Sequence, residues 1–272
     1  MLGGHDISER RSCHLVGITR SSARHRAQPV ADTELSEELR AIAARHPRFG
    51  YRRAHALLKR AGQPINHKRV ARVWRLTGLS LPRRRPRRRY KAQQVRSISQ
   101  ATRPNEVWTY DFVHDWCANG QRLKMLTVID EFTRESLSIE TRTSIKSRAV
   151  VEVLDRLTSE RGAPTYLRSD NGPEFVATRV RDWLAAKQIG TLYIKPGSPW
   201  QNARGESFNG RLRDECLNVE WFTNLREAKV IIESWRQHYN EKRPHSSLKY
   251  QTPVEFRLAF QQSPTGFAPT RI

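Results

Sequence analysis

The stretch VWTYDFVHDWC at residues 107–117, with the turn Ala118-Asn119-Gly120 and RLKMLTVID at 122–130, decides how the larger part of this chain folds. Bulky and polar residues alternate in the first segment, the glycine turn closes a hairpin, and the second segment supplies the partner strand. RESLSIET at 134–141 reads as a third strand, so the three form an antiparallel meander. The period then changes. A helix is expected from about Lys146 to Glu160, then a short strand TYLRSD ending at Asp170, a helix through Val180 and Trp183 to Ile189, and a strand TLYI at 191–194. SPWQNARGESFNGRLRDEC enters another helix. Strands first, then alternating helices and strands, predict an α/β fold with a mixed sheet covered by helices.

Three carboxylates stand out on this map. Asp111 lies mid-strand among Trp, Tyr and Phe, where a charge is costly to bury without a partner. Asp170 ends a strand just before Asn171-Gly172, a turn pair that exposes it at the sheet's carboxyl edge. Glu206 starts a helix after the loop KPGSPWQNARG, with 35 residues separating it from Asp170. Taken singly, each has an ordinary reading: a strand-edge hydrogen bonder, a turn residue, and a helix-start acid favoured by the dipole. Together they can hold two hard cations, because Mg²⁺ prefers oxygen ligands. Two metals about 3.5–4 Å apart can drive phosphodiester displacement. Asp115 and Asp130 are read as structural.

Upstream the chemistry differs. The chain carries 49 Lys and Arg against 27 Asp and Glu, a net +22. Residues 1–103 hold 25 and 6, or +19, and the remainder holds 24 and 21, or +3. A basic first third joined to a balanced remainder is the footprint of a nucleic-acid-binding region attached to a globular domain. Within it, ELSEELRAIAARH, a segment from Tyr51 to Arg60, and HKRVARVWRL behind Asn66 have helical spacing. This is the outline of a helix-turn-helix, whose last helix enters the major groove. Lys68, Arg69, Arg72 and Arg75 fall on the outer faces of that helix. SERRSCHLVGITRSSARHR forms two short helices broken at Gly17 or a basic arm. RRRPRRRYK supplies Arg83, Arg84, Arg85, Arg87, Arg88 and Arg89 as a linker that lies along phosphates or in a minor groove, or as a localisation signal. Binding by so many cations falls steeply with salt.

VWTYDF, LTVIDEFTRE, SDNGPEF, GSPWQNARGESFNGRLRDECLN and HYNEKRPHSSLKYQTPVEF resemble, in order, bacterial insertion-sequence transposases made as second-frame products, in the DDE retroviral-integrase superfamily. The resemblance covers nearly the whole chain. It implies an RNase H-like integrase core with a five-stranded sheet and metal-dependent cleavage and strand transfer of element ends. Asp111, Asp170 and Glu206 become the catalytic, metal-holding residues, with two Mg²⁺ ions and Mn²⁺ as a substitute. Arg213, seven residues after Glu206, is a candidate phosphate or base contact, or a solvated helix charge. Asn171 and Asn202 match positions that shape the site, and Trp200 packs on the core or stacks on an unpaired base. An alternative in the same chemical class is a nuclease of this fold, and a non-enzyme alternative is an inactive DNA-binding regulator.

The implied partners are double-stranded DNA, as terminal repeats and target, further copies of the chain in a synaptic complex, and a first-frame protein or a fusion with it. Unlike retroviral integrases, the chain shows no paired His and Cys spacing for a zinc domain. The expected divisions are 1–30 (basic arm or short helices), 31–80 (helix-turn-helix), 81–103 (linker), 104–222 (catalytic core) and 223–272 (helical extension and tail). Cys13, Cys117 and Cys216 do not make a disulfide framework, and no apolar run approaches a membrane span. A soluble, cytoplasmic protein, nucleoid-associated when bound to DNA, is expected.

Overall fold

Burial of Leu123 and of residues 125–130 makes β2 (Arg122–Asp130) central, because a strand covered on both faces cannot alternate with polar residues. The computed structural model describes residues 7–24, 32–82, 101–170, 172–194 and 202–262. β2 pairs antiparallel with β1 (Val107–Trp116) and with β3 (Ser136–Arg142). β4 (Tyr166–Ser169) and β5 (Gly190–Tyr193) add in parallel beyond β1, giving the order β3-β2-β1-β4-β5. The mixed five-stranded sheet expected from the sequence is therefore present. β3 starts two residues later than expected because Asp130 builds a turn. Its Oδ1 accepts from the N–H of Phe132 (2.9 Å) and Thr133 (2.8 Å), and Oδ2 accepts from Asn105 N–H (2.7 Å). β4 ends at Ser169, which leaves Asp170 one residue past the strand.

Side-chain alternation sends β1 and β2 into two cores. Trp108, Tyr110, Leu126 and Val128 face α6 (Ser147–Arg161) and α7 (Thr178–Ala186) through Val150, Leu154, Val180 and Leu184. Val113, Leu123 and Met125 face α8 (Ala203–Leu212) and α9 (Leu225–Glu241) through Phe208, Leu212, Ala228, Ile232 and Tyr239. The chain between α8 and α9 opens with a π-helical turn, Arg213–Leu217, and a final helix, α10, spans Pro253–Gln262. No helix among the described residues is long and apolar enough to cross a membrane.

At the N-terminal end α1 (Glu9–Val16) and α2 (Arg20–Arg24) are two short helices parted at Gly17, whose φ of 68° suits glycine. α3 (Thr33–Arg45), α4 (Tyr51–Arg60) and α5 (His67–Leu76) then enclose Leu35, Leu39, Ala54, Leu58, Val70, Val73 and Trp74. Asn66 caps α5 by accepting from Lys68 N–H at 2.8 Å.

This bundle is docked on the sheet domain by charge. Arg48 pairs with Asp214, and Arg53 reaches Glu215 at 3.1 Å. Glu215 also takes both arms of the fully buried Arg243 at 2.6 Å. Arg60 meets Glu255 and the Tyr250 carbonyl. His46 stacks on Phe49 at 4.5 Å and on His238 at 5.1 Å, bridging α3 to α9.

Burial, then the His238 and Arg45 charges, push His46 down to about 4. Burial and Arg243 lower His238, and burial first and Arg243 second push His245 down to about 2. The native state thus binds fewer protons than the unfolded chain below the ordinary histidine value, so this stability is present above about pH 6.5 and lost as pH falls. Denaturant unfolding at pH 7.5 and pH 5 is expected to show a loss on the order of 2 kcal/mol from each of His46 and His245 at the lower pH. His46→Phe should make the profile less steep by its share; an equally steep profile in that variant would count against the assignment.

Candidate active site

Thr109, Asp111 and Val113 alternate onto the face of β1 that meets α8, and the two elements run side by side. Two strand residues advance about 6.7 Å and four helix residues about 6 Å, so contacts recur every two residues on one and every four on the other. Gly205 sits against Thr109, Asn209 donates to Asp111, and Arg213 donates to the His114 carbonyl at 2.8 Å. A Cβ on Gly205 would lie 2.6 Å from Asn202 Oδ1 and 2.9 Å from Thr109 Cγ2, so only glycine permits this approach. Glu206, the next residue, is thereby held in the first turn of α8, where the helix dipole favours an acid.

Asp111 is half-buried. Its Oδ1 accepts from Phe112 N–H at 2.7 Å and its Oδ2 from Asn209 Nδ2 at 3.0 Å. Burial pushes its carboxyl up to about 6, with the negative charges of Asp170 and Glu206 adding to the rise. The sequence-chosen carboxylates thus come from three elements and act on one another. Asp170 is exposed beyond β4, and its Oδ1 accepts from Gly172 N–H at 2.9 Å. The loop behind it is anchored by Phe175, which stacks on Phe112 at 4.7 Å and lies edge-on to Tyr110 at 4.3 Å. Glu174 is clamped by Lys124, whose ammonium lies 4.0 Å over the Phe112 ring.

Three carboxylates supply the hard oxygen donors that a Mg²⁺ ion prefers, and their mutual repulsion at Asp111 is what a cation would relieve. Among the described residues no group of three His, Cys, Asp or Glu side chains is gathered closely enough to hold a metal ion. The three acids share a field without forming a closed shell.

Other expected residues fall differently. Arg213 opens the π-helical turn; besides His114 its guanidinium lies 3.9 Å from Asp115. Asn202 is buried, with an Oδ1 that has no hydrogen-bond partner among the described residues. Lys68, Arg69, Arg72 and Arg75 are all exposed on α5, and Asp32 bridges Arg69 (2.8 Å) and Arg72 (2.7 Å). Asn171, Trp200 and the linker arginines Arg83, Arg84, Arg85, Arg87, Arg88 and Arg89 lie outside the described residues.

The sequence reading missed a buried support beside the acids. Arg168 on β4 donates to both oxygens of Glu131 at 2.8 and 3.0 Å, and Thr109 donates to the same carboxylate. A lone arginine in the strand TYLRS was the available signal, since a buried charge demands a partner. Asn209 was missed too, although it stands three residues after Glu206 and therefore on the same helical face.

Comparison with known proteins agrees with this architecture. Two integrase core domain patterns match residues 101–199 and 187–253, and an HTH-like domain matches 30–87. The chain is 45% identical over 265 residues to the "Insertion element IS407 uncharacterized 31.7 kDa protein" of Burkholderia multivorans, covering 97% of this chain and 95% of that protein. It is 29% identical over 247 residues to the transposase InsD for insertion element IS2D of Escherichia coli strain K12, covering 85% and 80%. The fold also matches a chain of the simian T-cell lymphotropic virus intasome solved in complex with PP2A regulatory subunit B56 gamma. That match has a TM-score of 0.51 and 15% identity, covering 76% of this chain and 72% of that one.

Two stability changes follow from the packing. Gly205→Ala is expected to cost about 1–3 kcal/mol in denaturant unfolding, although alanine favours helices, because the new methyl pushes α8 off β1; an unchanged or raised midpoint would contradict the close approach. Asp111→Asn is expected to stabilise the metal-free chain at pH 8 by about 1 kcal/mol, since the ionised carboxylate is penalised above its raised pKa. The Asn209 amide can turn over to accept the new donor because the Thr127 hydroxyl accepts as well as donates. The gain should vanish near pH 4, where Asp111 is protonated.

Proposed function

The chain belongs to the insertion-sequence transposases built on an integrase catalytic core, and from that membership we propose that it cuts DNA at the ends of its element and joins them to target DNA. The superfamily is one of polynucleotidyl transferases. The observation that carries the reading is the placement of the Asp111 carboxylate, held by Phe112 N–H and Asn209 and raised first by burial and then by the charges of Asp170 and Glu206. Such mutual repulsion costs stability, and its retention suits a site that works by binding cations.

In this reading Asp111, Asp170 and Glu206 are the catalytic residues and would hold two Mg²⁺ ions, with Mn²⁺ as a substitute. Bound there, the cations would activate a water or a 3′-hydroxyl and stabilise the departing oxygen of an in-line displacement. The protein's own part is placement. Phe112 N–H and Asn209 orient the Asp111 carboxylate, Phe175 anchors the Asp170 loop, and Gly205 lets α8 carry Glu206 close to β1.

DNA is gripped elsewhere. Lys68, Arg69, Arg72 and Arg75 of α5 face the duplex, and the linker arginines and Arg213 extend the contact toward the acids. The functional divisions are then the basic arm or short helices of 1–30, the helix-turn-helix of 31–80, the linker of 81–103, the core of 104–222 and the extension and tail of 223–272. Joining two ends calls for at least two copies of the chain, with a first-frame protein or fusion as a further partner, acting on cytoplasmic, nucleoid-bound DNA.

Labelled element ends incubated with target DNA and Mg²⁺ test the reading, with Asp170→Asn as control. Joined products are expected with the wild-type chain and at least a hundredfold fewer, on the order expected when a catalytic group is removed, with the variant. Cleavage without joining would point to a nuclease. Equal behaviour of both proteins would sink the assignment of the acids.

A further inference from the structure

Asn209 makes two directed hydrogen bonds at the junction of α8 and the sheet. Its Nδ2 donates to Asp111 Oδ2 at 3.0 Å, and its Oδ1 accepts from the Thr127 hydroxyl at 3.1 Å. Thr127 lies opposite Asp111 in the β1–β2 ladder, is buried, and has its hydroxyl 3.1 Å from the Asp111 carbonyl. The amide has two distinguishable ends, and an ionised carboxylate, which can only accept, takes the N–H end; turned over, the amide would set oxygen against it. The Thr127 hydroxyl braces the other end of the amide. Phe112 N–H holds the other oxygen of Asp111, so each oxygen takes one hydrogen bond and keeps lone pairs for a cation. Asn209 also shares a helical face with Glu206, three residues earlier, so the bond that aims Asp111 also fixes the helix carrying Glu206.

We propose that Asn209, braced by Thr127, is a positioning residue that aims the Asp111 carboxylate and sets its distance from Glu206. This rests on the reading of the three acids as cation ligands. Outer residues that orient metal ligands are typically worth 10–100-fold in metal affinity.

The test titrates Mn²⁺ alone into the full chain by calorimetry, beside unfolding midpoints without metal and strand-transfer kinetics. Asn209→Ala is expected to weaken Mn²⁺ binding roughly tenfold and to lower kcat, with KM for DNA unchanged. Thr127→Val should weaken binding in the same direction by less, and Thr127→Ser should restore it. If Asn209→Ala does not fold, the Thr127 pair decides. Mn²⁺ binding within about twofold of wild type in a folded Asn209→Ala, or in Thr127→Val, overturns the inference while leaving the acids' role intact, provided that Asp111→Asn abolishes binding. A wild-type chain that binds no Mn²⁺, or binds it equally with Asp111→Asn, overturns the reading of the acids and this inference with it.

Discussion

The close approach of α8 to β1 is the constraint on which the rest of the molecule hangs. A helix beside a strand can meet it repeatedly only where their rises match: Gly205 and Asn209 meet Thr109 and Asp111 in that rhythm, and the longer Arg213 side chain reaches the His114 carbonyl beyond them. The lack of a side chain at Gly205 brings the helix in, and Phe208 and Leu212 bury the intervening surface against the sheet. From this one apposition follow the position of Glu206 at one end of the helix and that of the π-helical turn at the other. That turn carries Asp214 and Glu215, which hold Arg48 and Arg53 of the helical bundle. The candidate site and the docking of the basic region are therefore opposite ends of a single packed element.

The charge distribution takes on meaning in the same frame. A net +3 over residues 104–272 hides 21 acids and 24 bases, most of the buried ones committed to partners. Glu131 satisfies Arg168, Glu135 takes Arg161 and Arg257, and Glu215 serves Arg53 and Arg243. Buried ion pairs of this kind contribute little net stability, but losing one partner strands a charge, so they specify which elements meet. Two acids depart from that background: Asp130 is held by backbone N–H groups, and Asp111 is held by neutral donors while facing two further acids, neither having an ion pair among the described residues. The basic bundle shows a milder form of the same economy: Asp32 draws Arg69 and Arg72 together on the outer side of α5 and leaves Lys68 and Arg75 exposed.

Much of this was legible in residue order. Period-2 alternation and the Ala118-Asn119-Gly120 turn marked the hairpin, and 3.6-residue spacing marked α3, α5 and α6 to within a few residues. The start of β3 was misjudged because the Asp130 turn is built from side-chain bonds to backbone N–H groups, which leave no periodic trace. The end of β4 was placed one residue late because hydrogen bonding to β1 and β5, not local preference, decides where it stops. Of the site, the acids stood out by chemistry and spacing. Arg168, Glu131, Thr127 and Asn209 did not, because each looks ordinary until its partner is beside it.

By itself the sequence determined which segments alternate as strands or repeat as helices, where the positive charge lies, and which three acids stand apart. These are properties of neighbours in the chain, carried by local sterics and by the burial of one face of each element. Only the tertiary structure decided that β4 adds beside β1 rather than elsewhere, that the field of Asp170 and Glu206 falls on Asp111, and that Asn209 and Thr127 meet Asp111 across 98 and 16 residues of chain. Such pairings are set by how whole surfaces interlock, so no local pattern encodes them.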